Sequence, residues 1–101
     1  MLKGPDREGA WKAGKSAADM TDLGIAFMIV LALNHPVPVD ALDVFEVLWQ
    51  VERIPATSMA EAIKLLVITM SAVEQCRYAY SKDEHGKIFY ALTPERAALF
   101  R

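Results

Sequence analysis

The sequence predicts a mainly α-helical domain that closes with a β-hairpin and a short last helix. Apolar residues recur at helical spacing through three segments between residues 19 and 75. The period drops to two after residue 76, and a helix-start signal returns at Thr93-Pro94. At 101 residues, with 53% hydrophobic and 24% charged side chains, the chain has material for one domain and one core.

The first helix is expected to open within Asp19-Met20-Thr21-Asp22, which supplies capping side chains and negative charge. It is expected to run to Asn34, where His35-Pro36-Val37-Pro38 stops it. From Leu23 to Leu33 it is apolar nearly all round, so it is either central in its domain or shared between two chains. The second helix starts from Asp40 as N-cap, carries Asp43, Glu46, Gln50 and Arg53 as one polar stripe, and is expected to end at Ile54-Pro55. The third has the clearest start. Ser58 and Glu61 have capping-box spacing, in which each side chain satisfies a free backbone donor near the other. It reaches about Gln75 with a thin polar stripe of Glu61, Lys64, Ser71 and Gln75, interrupted by Ile68.

Arg77 to Tyr80 and Lys87 to Leu92 read as strands, with Ser81 to Gly86 as a polar loop between them. Thr93 then caps a closing helix with Pro94 at its first position.

Residues 1–18 hold three glycines and a proline without sustained periodicity, and are expected to form a flexible arm ahead of a domain at 19–101. The arm carries Lys3, Arg7, Lys12 and Lys15 against two acids, whereas residues 19–101 carry seven basic and eleven acidic side chains. A mildly basic tail thus precedes an acidic body. The apolar run Leu23 to Leu33 is too short to span a bilayer, which takes roughly 20 residues, and it starts too far in for a secretory signal. A lone cysteine, Cys76, cannot form an internal disulfide. It is expected to be buried at the helix–strand junction, and the chain to be cytoplasmic.

Helix, helix, helix, hairpin, helix is the winged-helix arrangement, a variant of the helix-turn-helix. Gly86-Lys87-Ile88-Phe89-Tyr90-Ala91-Leu92-Thr93-Pro94-Glu95 resembles the second wing strand of the winged-helix transcriptional regulators of bacteria and archaea, the PadR-like and MarR-like groups in particular. That strand often runs tyrosine-x-leucine-threonine into a last helix. Ile29 to Leu33 before a short break is similar to their first helix, so the resemblance covers roughly residues 20–101. It departs from the pattern at Arg96, where those regulators often carry glycine. Their recognition helix is usually rich in Ser, Thr, Arg, Lys and Gln, whereas the third helix here has Lys64 with Glu61 and Glu74.

The resemblance implies a homodimer that binds double-stranded DNA and regulates transcription. Phosphate contacts would fall to Lys82, Lys87, His85 and Arg77 and to the arm, and base contacts to Thr57, Ser58, Glu61 and Lys64. Each has a plainer alternative. Ser58 and Glu61 serve the capping box, and the lysines belong to a solvated hairpin. The alternative reading is a winged-helix protein-interaction module, an inhibitor or assembly subunit without DNA binding, because the first and third helices are apolar over more surface than one small domain buries. Neither histidine has metal-ligand spacing with Cys76. No phosphate-cradling glycine loop, nucleophile motif or acid–base pair is present, so no cofactor, metal or catalytic residue is expected and the chain reads as a non-enzyme.

Overall fold

The computed structural model describes residues 21–100, so the basic arm expected at 1–18, with Asp19 and Met20, lies outside the described residues. The described chain is a mixed α structure with a small antiparallel sheet. Its elements in order are α1 (Asp22–Asn34), β1 (Val39–Asp40), α2 (Ala41–Gln50), α3 (Met59–Gln75), β2 (Ala79–Glu84), β3 (Lys87–Leu92) and α4 (Pro94–Ala98).

Of the residues Asp19 to Asp22 that offered capping groups, Thr21 caps α1, its Oγ1 accepting from the Gly24 N–H at 3.2 Å. Every residue from Leu23 to Leu31 is buried, which is how a helix apolar on all sides escapes water. It does so within one chain, packed against α3, β3 and α2. The Phe27 ring meets Tyr90 of β3 edge to face, centroids 5.6 Å apart. From Leu23 to Leu31, α1 is therefore enclosed by its own chain.

Asp40 caps α2 as its side chain predicts, accepting from the Leu42 N–H at 2.9 Å. The helix ends at Gln50, five residues before Pro55, which corrects the expected stop. Glu52 takes a left-handed conformation with φ 57°. The Arg53 N–H then donates back to the Leu48 carbonyl at 2.9 Å and the Glu52 N–H to Trp49 at 3.1 Å. This is a Schellman stop, which needs one left-handed residue and no proline. Arg53 accordingly leaves the polar stripe, which retains Asp43, Glu46 and Gln50.

Ser58 caps α3, accepting from the Glu61 N–H at 3.2 Å, while the Glu61 carboxylate accepts from the Thr57 hydroxyl at 3.3 Å. The helix ends in a second Schellman stop. Arg77 is left-handed with φ 61°, Tyr78 donates to the Val73 carbonyl at 3.1 Å, and Arg77 donates to Glu74 at 2.9 Å. Arg77 and Tyr78 thus terminate a helix and do not begin a strand. Cys76, expected to be buried, is exposed, because it caps α3 beyond Val73, the last residue that the helix buries.

The sheet runs β1-β3-β2 with both pairings antiparallel. The two-residue β1, which the sequence did not announce, pairs Val39 with Tyr90 and Asp40 with Phe89. The segment read as a loop is mostly strand, since β2 continues through Ser81 to Glu84 and pairs to Glu84↔Lys87. Only His85 and Gly86 turn the chain, with φ of 54° and 75°. Positive φ at both central residues matches the tight hairpin connection that follows the twist of the strands. Thr93 caps α4, accepting from the Arg96 N–H at 3.4 Å. The Thr93 N–H donates to the Tyr78 carbonyl at 3.0 Å, and the Arg96 guanidinium lies 3.8 Å from the Tyr78 ring centre.

Candidate interaction surface

Two surfaces come from the expected residues, the hairpin and the exposed side of α3. On the hairpin, directly paired residues share a face and alternate residues repeat it. The pairs Lys82↔Phe89 and Glu84↔Lys87, with Asp40↔Phe89 across the other ladder, put Lys82, Lys87, Glu84 and Asp40 on one face. Lys82 and Lys87 are thereby brought together, as a DNA-contacting hairpin requires. Each also meets an acid. The Lys82 ammonium lies 3.4 Å from Glu84, and that of Lys87 lies 4.0 Å from Asp40. His85 stands exposed at the tip. The Lys82–Glu84 pair is exposed and contributes little to stability, whereas Asp40 is largely covered; both acids offset the field that would draw a phosphate.

Thr57, Ser58, Glu61 and Lys64 are all exposed at the start of α3. Three of them are committed to the helix start, Ser58 to the Glu61 N–H and Thr57 to the Glu61 carboxylate. Lys64 is the cation of α3. Arg77 is exposed at the opposite end of the helix, separated from that group by the length of α3. The expected base-reading and phosphate-binding residues are therefore divided between the two ends of one helix and the hairpin.

What the exposed side of α3 presents is apolar. Ile63, Val67 and Ile68 are 49%, 54% and 57% exposed, and Met59 stands out with them. An open groove of about 300 Å³ lies on one flank of this ridge. Its walls are Ala41, Leu42 and Phe45 from α2 and Met59, Ile63, Leu66, Val67 and Met70 from α3. The Phe45 ring stacks on Trp49 with centroids 6.1 Å apart, which stiffens the α2 wall. On the other flank, Leu65, Ile68, Thr69 and Ala72 face Thr21, Leu23 and Pro55 across a second open groove of about 330 Å³. Thr69 answers its own burial by donating to the Leu65 carbonyl at 2.9 Å.

The helical period sets Ile63 and Val67 off the polar stripe without saying which of the apolar residues neighbours will cover, and these two are left in water. The third helix has more apolar positions than one packed side can take, and the thin polar stripe was the signal that some would face water. The Tyr90 hydroxyl of β3 is pushed up to about 12, first by burial and then by the nearby charge of Glu74. Among the described residues no cluster of three His, Cys, Asp or Glu side chains could hold a metal ion, and no helix is long and apolar enough to cross a membrane. No family model, curated protein or solved structure matches the chain.

Proposed function

We propose that this chain is a winged-helix-like protein-interaction module, an inhibitor or assembly subunit, whose binding face is the exposed side of α3. The observation that carries the reading is the half-exposed row Ile63, Val67 and Ile68, with a groove on each flank. Water-facing apolar surface of this continuity marks a contact site. Electrostatics point the same way. Residues 21–100 hold six lysines and arginines against ten acids, and α3 itself carries Lys64 against Glu61 and Glu74. A helix that enters a DNA groove gains its affinity from cations facing phosphates, and in this one two acids outnumber the single lysine. The test compares proteins retained from the native host by the full chain and by its Val67→Asp variant. A partner held by the first and lost by the second, with both folded, supports the module; identical profiles count against it.

The second reading, a homodimeric DNA-binding transcriptional regulator in the cytoplasm, is favoured by one observation. Lys82, Lys87 and His85 are exposed together on the hairpin. It predicts binding to duplex DNA from upstream of the chain's own gene that exceeds binding to a scrambled duplex and weakens steeply with salt. Fluorescence anisotropy at two salt concentrations decides it. Lys82→Ala and Lys87→Ala should each flatten the salt dependence if the reading holds.

A further inference from the structure

Among the described residues the walls of the α2–α3 groove hold no polar side chain, only alanine, leucine, isoleucine, valine, methionine and phenylalanine. Small-molecule sites combine apolar walls with a few aimed polar groups, and phosphate sites need donors; this groove has neither. Its walls are two helices. From Met59 to Met70 the α3 wall runs about 17 Å at 1.5 Å per residue, the length of three helical turns. Grooves of this form take the ridge of a third helix, and methionines at their edge let them adjust to its side chains.

The rims differ in charge. Asp43 and Glu46 are both exposed, and helix geometry sets Glu46 beside Leu42 and Asp43 one step further round. The α2 segment carries no basic residue. On the α3 side Lys64 lies beside Val67 and Ile68, and Glu74 follows one turn after Met70.

Resting on the interaction-module reading, we propose that this groove receives an amphipathic helix of a partner protein, apolar on the face that enters and basic along the edge beside α2. A second copy of this chain is a poorer occupant. A two-fold contact presents the same patch twice, which brings two sets of Asp43 and Glu46 into one interface with Lys64 to answer them.

The experiment uses the full chain and two synthetic helical peptides with the same leucine stripe at i, i+3, i+4 and i+7. One peptide is flanked by lysines along one edge and the other by glutamates. Anisotropy should show the lysine peptide binding about tenfold tighter, with the gap closing at high salt. The double variant Asp43→Lys/Glu46→Lys should reverse the preference, and Val67→Asp should abolish binding of both peptides. Equal affinities, or a preference that survives the charge reversal, would overturn the proposal, as would failure of both peptides to bind. In that last case sedimentation separates the two failures. A dimer of the native chain that Val67→Asp dissolves keeps the module reading and gives the groove to a second copy. Two monomers, with no partner lost on substitution, take the module reading down as well.

Discussion

Helices α1 and α3 are both rich in apolar residues, yet they spend them differently. α1 is enclosed from Leu23 to Leu31, whereas α3 buries Ala62, Leu66, Thr69 and Val73 and leaves Ile63, Val67 and Ile68 in water. The distinction is one of position. α1 has α2, α3 and β3 around it, but α3 lies on the outside of the bundle and meets neighbours on one side. Apolar composition alone therefore does not say whether a helix is core or contact surface. The number of elements that can surround it decides.

The sharpest way to break the comparison is to truncate one apolar side chain in each helix to alanine. Phe27→Ala empties a site that is 0% exposed and loses the edge contact with Tyr90, and should cost about 3–5 kcal/mol in urea unfolding. Against a typical total of about 5–15 kcal/mol, that is enough to populate unfolded chain. A loss under about 1 kcal/mol would mean that α1 is less enclosed than described.

An intermediate effect lies at alkaline pH, because Tyr90 packs on Phe27 of α1 and lies under the charge of Glu74 of α3. Its hydroxyl ionises near 10 in the unfolded chain and near 12 in the folded one. Between these values the folded state holds a proton that the unfolded state has released. Stability is therefore full below pH 10 and falls as pH rises through the window. Thermal melts should show this decline in the native chain and a shallower one in Tyr90→Phe.

A smaller effect has the opposite sign. Arg77 closes α3 in a left-handed conformation that costs a non-glycine residue about 1–2 kcal/mol. Arg77→Gly removes that strain but adds freedom to the unfolded chain, so a net gain of roughly 0.5 kcal/mol is expected in denaturant titration. A loss would show that the arginine side chain contributes more than its backbone costs. The smallest effect completes the contrast with Phe27. Val67→Ala should change stability by less than about 0.5 kcal/mol, because that side chain is already half in water.

The helix starts were legible because each rests on a side chain that accepts from a backbone donor two or three residues on. Thr21, Asp40, Ser58 and Thr93 do so, and three of the four could be named from the sequence as caps. The helix ends were not. No glycine marks either Schellman stop, since Glu52 and Arg77 fill the left-handed positions, and a reader guided by glycine or proline runs past them. Strand β3 was legible to the residue. Its partner β2 was misread because the hairpin projects beyond the core, and with Tyr80 to Glu84 all exposed no buried face imposes an alternation. β1 is too short to show any period. At the candidate surface, the residue types were visible but their side of α3 was not, since a helix with so thin a polar stripe does not reveal which apolar direction its neighbours will cover.

The place of β3 in the sheet has a consequence for how the molecule is made. The middle strand of the β1-β3-β2 order is the last of the three to be synthesised, and it supplies Tyr90 against Phe27 and the partner of Val39. Until it emerges, α1 has no sheet to cover it, and an apolar segment from Leu23 to Leu31 is left without its lid on the ribosome. Completion of the core depends on contacts between distant parts of the chain, a pattern that slows folding relative to a simple helical bundle. During that wait the nascent chain is open to aggregation, or to the chaperones that bind exposed apolar segments.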